Sequence, residues 1–328
     1  MKVILATGIA GVGKNEYLNS FLKICEKNKK RCQVISLGKI IFDIAGEMGI
    51  NVSENKILNL PRSTLKALTS LALERLPKIF DKSANAIIVS THASYWWKNG
   101  PEHAFDVSIL NTLNPDLYIT FINSPSINYE NIVRDKKWGK GIISLREVMI
   151  WTELEIYTTE IFALLQGKSQ YVIHMNHPVE NLYRLIFEPK IKKFYISFPM
   201  TFASGQTLKK IKKFINEIQK YAIIIEPLLE NDLVNIKDKE LNNILSNQVV
   251  RRDYHFIDQA DGIIIYYPKI LPSPGVESER AYAHQTDKLI WIIYPSSKKS
   301  PFINYSTDRF FKNTNEVIKE LKKMYERS

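Results

Sequence analysis

VILATGIAGVGKN, residues 3–15, decides the reading of the first half of the chain. An apolar run ends in a glycine-rich turn, and apolar residues then recur at Leu18, Phe21, Leu22 and Cys25, the spacing of one helical face. The order is strand, loop, helix, which is the context that gives G-x-x-x-x-G-K its meaning, here at Gly8, Gly13 and Lys14 with Gly11 between them. Glycines let successive backbone N–H groups turn toward a phosphate, Lys14 adds a point charge, and the helix N-terminus adds a partial positive one. The motif closes on Asn15, where a Ser or Thr hydroxyl ordinarily meets Mg²⁺. The segment therefore predicts a nucleotide site, with ATP as the expected ligand and a weakened hold on Mg²⁺.

Outward from this loop, CQVISLG (32–38), AIIVSTHAS (86–94), LYITFIN (117–123) and SQYVIHM (169–175) read as further strands separated by helices. Continuous apolar, β-branched runs of this kind imply a parallel sheet covered on both faces. After the helix-like VENLYRLIF (179–187), the short polar segment EPKIKK marks the expected boundary, giving domains 1–188 and 189–328. A second strand-helix series follows: KFYISFPM (193–200), a basic amphipathic helix over 208–220, AIIIEPLL (222–229), GIIIYYP (262–268) and LIWIIYP (289–295). The fold class expected is α/β, two open parallel-sheet domains in tandem.

Bulk properties fit this. The chain has 328 residues, 45% hydrophobic and 24% charged, with a formal charge of +11 that favours anionic partners. The lysines lie on the outer face of amphipathic helices, and no nucleic-acid-binding signature accompanies them, so nucleotides rather than nucleic acid are the expected partners. No apolar stretch is long enough to cross a membrane, and a cytoplasmic protein is expected. The two cysteines, Cys25 and Cys32, have neither disulfide-framework nor metal spacing.

The first half resembles the archaeal adenylate kinases through VILATGIAGVGK, the later tetrad Ser90-Thr91-His92-Ala93 and the helix order. The resemblance implies a kinase-type nucleotide site. It also implies an acidic residue heading the tetrad, where this chain has Ser90, so the metal side departs twice, at Asn15 and at Ser90. RDKKWGK (134–140) lies where a lid would bring cations over the transferring phosphate, and reads equally as a solvated basic loop. His92 reads as a structural histidine. An active nucleoside monophosphate kinase and a domain that binds without turnover both remain open.

In the second half the loop after GIIIYYP opens a helix with Ser273, Gly275 and Glu279, while Asp253 begins DYHFIDQAD upstream. Loops leaving the carboxyl ends of parallel strands are where open α/β sheets bind ligands. Two carboxylates converging there suit glycosyl chemistry, one at the anomeric carbon and the other at the leaving base or water. Three ordered motifs, YISFPMTFASG (195–205), Asp253 with Asp261, and S-x-G-V-x-x-E from Ser273 to Glu279, resemble the 2′-deoxynucleoside 5′-phosphate N-hydrolases and the wider nucleoside deoxyribosyltransferase group. The resemblance implies Glu279 as nucleophile, Asp253 as acid/base or sugar ligand, and Ser273, with Gly275, Thr201, Ser204 and Gly205, around the 5′-phosphate. It also implies a homodimer. Departures are Ala281 for a glycine and Phe202-Ala203-Ser204-Gly205 for a cation-bearing first loop. Glu277 is the decoy carboxylate, Asp258 a surface residue, Asp261 a loop or cap residue, and Tyr195 either a pocket wall or core.

Overall fold

In a computed structural model, residues 1–52, 56–97, 100–104, 107–135, 143–200, 204–227, 239–269, 273–296 and 299–327 are described. Thr201, Phe202 and Ala203, and most of the basic segment 134–140, lie outside them. The chain divides into two compact units, Met1–Glu180 with Asn231–Asn242, and Asn181–Glu230 with Asn243–Ser328.

The first unit runs β1 (Lys2–Thr7), α1 (Lys14–Lys27), β2 (Cys32–Ser36), α2 (Leu37–Glu47), α3 (Arg62–Arg75), β3 (Ala86–Ser90), β4 (Ser94–Trp97), β5 (Gly100–His103), α4 (Val107–Leu113), β6 (Leu117–Ile122), α5 (Pro125–Arg134), α6 (Leu145–Leu165) and β7 (Ser169–His174). Five strands form a parallel sheet in the order β2-β3-β1-β6-β7. β1 lies at its centre, which is why Val3 to Thr7 are buried on both faces. β4 and β5 make a separate antiparallel hairpin. α6 is buried along Val148, Trp151, Glu155, Thr159 and Phe162, a helical stripe with a carboxylate in its middle.

The second unit continues with α7 (Val179–Phe187), β8 (Lys193–Ser197), α8 (Gly205–Ile218), β9 (Ile223–Ile225), α9 (Lys239–Asp258), β10 (Gly262–Tyr266), α10 (Pro274–Gln285), β11 (Leu289–Ile293), α11 (Pro301–Tyr305), β12 (Arg309–Phe311) and α12 (Thr314–Glu326). Its parallel sheet has the order β12-β11-β10-β8-β9. Alternation along β8 decides what this sheet can do. Phe194 and Ile196 join Ile211, Phe214, Trp291 and Leu321 in the core cluster formed with α8 and α12. Tyr195 and Ser197 therefore point to the opposite face. Asp261 accepts from the Lys193 backbone N–H at 2.8 Å and pairs with its ammonium at 3.1 Å, tying the starts of β8 and β10 together.

Candidate functional sites in the two units

The phosphate loop of the first unit is built on glycines that no other residue can replace. Gly8 has φ 145° and Gly11 φ 76°. A Cβ on Gly8 would stand 2.8 Å from the Phe121 carbonyl oxygen, and one on Gly11 2.9 Å from Ile132 Cγ1. Gly13, also at positive φ, precedes α1 without a side-chain cap, leaving the helix N-terminus to the loop. Lys14 and Asn15 open α1 and line a cleft of about 1150 Å³ together with Gly11, Gly13, Thr91 and His92.

In this state the Lys14 ammonium donates to the carbonyl oxygens of Gly8 and Thr91, the latter at 2.9 Å. Burial lowers its pKa to about 8, and the nearby Glu155 works against that shift. His92 is held neutral, its pKa pushed well down by burial and then by the Lys14 charge, while a hydrogen bond to the Gly8 backbone opposes both. Its Nδ1 has no hydrogen-bond partner among the described residues.

Glu155 is the residue that sequence reasoning missed. Only 1% exposed, it accepts from the backbone N–H groups of Gly8, Ala93 and Ser94, each at 2.8 Å, and from Ser94 Oγ at 2.6 Å. One carboxylate thus joins the start of the phosphate loop, the end of the Ser90–Ala93 tetrad and α6. Trp151, one turn earlier, donates from its indole to the Ser94 carbonyl at 3.2 Å. The signal lay in the sequence: Val148, Trp151, Glu155, Thr159 and Phe162 share one buried face, and a glutamate in such a stripe needs donors.

On the metal side, Asn15 and Ser90 present only neutral oxygens, and no group of three or more His, Cys, Asp or Glu among the described residues could hold an ion. This donor set does not fit the usual hydroxyl-plus-carboxylate arrangement for Mg²⁺.

In the second unit, α10 begins after Ser273, whose side chain does not cap the helix. Val276, Arg280 and Ala283 are buried, so the inward face of α10 also carries Glu279. Glu279 meets the two polar side chains that alternation put on this face of β8. Tyr195 OH donates to its Oε1 at 2.8 Å and Ser197 Oγ to its Oε2. Burial is the main cause that raises the Glu279 pKa to about 7. The Ser197 hydrogen bond opposes it, the Asp253 charge adds to it, and the Tyr195 hydrogen bond opposes it. Asp253, on the buried face of α9 with Phe256 and Ile257, is also shifted upward by burial, against the pull of Arg252, whose guanidinium lies 3.3 Å away. Tyr195 is pushed well up by burial and then by both carboxylates. The four side chains Tyr195, Ser197, Asp253 and Glu279 therefore form one electrostatically coupled group.

Ser204 accepts from the Thr207 N–H at 3.3 Å and so caps α8, and Gly205 is the first residue of that helix. Gly275, exposed in the first turn of α10, has open space where a Cβ would stand. Glu277 turns away to Tyr267 OH at 2.6 Å and to the Arg280 guanidinium. Asp258 accepts from Tyr282 OH at 2.8 Å. Ser197 is the second functional side chain that the sequence did not single out, although its place two residues after Tyr195 puts it on the same face of β8.

A parallel sheet with a glycine-built phosphate loop between its first strand and helix defines the first unit as a P-loop, kinase-like nucleotide-binding domain; the second is an α/β unit with a coupled carboxylate site. The family model and the curated relatives agree with the first class. A family model described as an AAA domain matches residues 7–147. The adenylate kinase of Methanocaldococcus jannaschii is 26% identical over 118 residues, 36% of this chain and 60% of the relative. The match thus spans less than two thirds of that enzyme. The adenylate kinase of Thermococcus kodakarensis is 27% identical over 186 residues, 57% of this chain and 92% of the relative. Among solved structures, shikimate kinase from Bacteroides thetaiotaomicron has a TM-score of 0.36 at 15% identity, covering 57% of this chain and 98% of that one. A 2-deoxyribosyltransferase from Bacillus psychrosaccharolyticus has a TM-score of 0.33 at 20% identity, covering 38% of this chain and 90% of that one.

Proposed function

We propose that the second unit is an N-glycosidase acting on a nucleoside or 2′-deoxynucleoside 5′-monophosphate, and that the first unit binds ATP or a related nucleotide. The observation that carries the glycosidase reading is the Glu279 carboxylate, partly buried and held at both oxygens by the hydroxyls of Tyr195 and Ser197 with Asp253 electrostatically coupled to it. A carboxylate so fixed has one orientation and little water to screen it, which suits attack on an anomeric carbon.

In this mechanism ionised Glu279 forms a bond to C1′ as the C1′–N bond to the base breaks. Asp253 delivers the proton that the departing base takes up, and water then cleaves the glycosyl ester to release the sugar phosphate. The 5′-phosphate lies toward Ser273 and Gly275, at the uncapped start of α10. Thr201 belongs to the same proposal, while Ser204 and Gly205 contribute the capped start of α8.

The test is incubation with each of the eight common ribo- and deoxyribonucleoside monophosphates, with free base followed by chromatography for wild type and Glu279→Gln. Base release from one or more of them by wild type, and none by the variant, is the expected outcome. Absence of release from all eight, or equal release by the variant, sinks the reading.

A second reading is a nucleotide-sensing protein that turns nothing over in either unit. It is favoured by Asn15 and Ser90 on the metal side, which offer only neutral oxygens where Mg²⁺ ordinarily meets a hydroxyl and a carboxylate. Binding of ATP with no phosphoryl transfer to AMP is its signature.

A further inference from the structure

The first unit has a second cavity, of about 730 Å³, between the start of α3, the β4–β5 hairpin and α6. It shares only Leu58 and Tyr95 with the nucleotide cleft. The hairpin register sets its lining. Tyr95 stands opposite Glu102, and Trp97 is two residues along the same strand, so all three occupy one face. Ser94, on the other face, is taken by Glu155. Leu60, Leu65, Leu154 and Phe162 supply apolar wall from the α3 and α6 sides.

The cationic lining is concentrated at one place, while His103, Tyr157 and Thr158 add polar groups from the hairpin and α6. Arg62, Ser63 and Lys66 all belong to the first turn and a half of α3, whose N-terminus no side chain caps. Arg62 is ion-paired with Glu102, which brings the hairpin's carboxylate to the same spot. A cavity within the size range of small-molecule sites, with an apolar body and one cationic corner at a helix start, is complementary to an amphiphilic anion.

We propose that this cavity is a small-molecule site distinct from both nucleotide sites, taking a compact anion with an aromatic or branched-alkyl body. The body lies among Leu60, Leu65, Trp97, Leu154 and Phe162, and the anionic head meets Arg62, Ser63 and Lys66. Carboxylates and phosphate monoesters share that head chemistry.

Calorimetry on the full chain decides it, with 2-naphthoate and 1-naphthyl phosphate as probes, and 2-naphthylmethanol and inorganic phosphate as the body alone and the head alone. One or both naphthyl anions are expected to bind with a stoichiometry of about one, more tightly than either half; whichever binds more tightly identifies the head. Ser63 is exposed on the cavity rim, so Ser63→Trp plugs the space and is expected to abolish probe binding while ATP binding persists, which also reports that the variant is folded. Glu102→Gln removes the carboxylate competing for Arg62 and is expected to tighten the anions by about 2- to 5-fold, leaving the alcohol unchanged. Binding unaffected by Ser63→Trp, binding of inorganic phosphate as tight as that of the naphthyl anions, displacement of the probe by AMP, or no probe binding at all would overturn the proposal.

Discussion

Glu279 holds opposite demands in one side chain. Its carboxyl is raised from the ordinary 4.5 to about 7 by burial, yet attack on C1′ requires it ionised. Base release is therefore expected to climb through an acidic limb near pH 7. The neighbours give that limb a sign test. Ser197 and Tyr195 stabilise the anion, so Ser197→Ala and Tyr195→Phe both move the limb to higher pH, whereas Asp253→Asn removes the proton donor and costs about 10²- to 10⁴-fold in rate. Limbs that stay put in both variants would show that Glu279 is not the titrating group.

The same shift is a statement about stability. A carboxyl whose folded pKa lies above its unfolded value stabilises the fold below the unfolded pKa, and that contribution is lost as the pH rises through the folded one. Between pH 4.5 and about 7, ionising Glu279 costs about 3 kcal/mol. Glu279→Gln, which cannot ionise, is expected to gain stability over wild type at pH 8 relative to pH 5 in urea melts while losing activity. Equal differences at both pH values would contradict this. At this scale Glu279, Asp253 and Ser273 stood out in the sequence as candidates through their spacing, and the structure couples the first two electrostatically. It hid Ser197 and Glu155, because a hydrogen bond to a residue 82 or 147 positions away leaves no local pattern.

Among the elements, the phosphate loop was the most legible, since each of its glycines answers a local geometric need. Gly8→Ala must push a methyl to 2.8 Å from the Phe121 carbonyl at a φ that L-residues avoid, and is expected to weaken ATP binding and lower Tm together. α6 was the least legible, because its function comes from what it packs against. Removing its carboxylate by Glu155→Ala leaves the N–H groups of Gly8, Ala93 and Ser94 buried without an acceptor, and is expected to cost about 3–5 kcal/mol in the first unit and most of the ATP affinity. A variant that binds ATP normally would show that the loop holds its shape without Glu155. Two further elements escaped the sequence reading. β4 and β5 pair through Ser94–Trp97 and Gly100–His103, a hairpin that a periodicity scan merges with β3, and β12 is only three residues long. α9 begins at Lys239, well before DYHFIDQAD, and Leu241, Ile244 and Leu245 carry its apolar rhythm upstream of Asp253.

For the whole molecule, the tandem α/β architecture followed from continuous apolar strands alternating with amphipathic helices, and both sheets are parallel as that pattern requires, the second with β12 as a fifth strand beyond the four apolar runs. Each unit has its own core and its own candidate site, so the two functions should separate by mutation. Lys14→Ala is expected to remove ATP binding measured by calorimetry while leaving Glu279-dependent base release intact, and Glu279→Gln the reverse. Loss of both activities in either variant would mean that one site serves both.

The proposed mechanism passes through a covalent bond between Glu279 and a sugar phosphate. Nucleoside 5′-monophosphates with a 2′-deoxy-2′-fluoro-arabinosyl sugar slow the breakdown of such an intermediate, so it accumulates for intact-mass analysis. Wild type is expected to gain the mass of one fluorinated sugar phosphate, mapped to Glu279 in the α10 peptide, with none in Glu279→Gln. Release of base from natural monophosphates without any such adduct, or an adduct that persists in Glu279→Gln, would contradict the account.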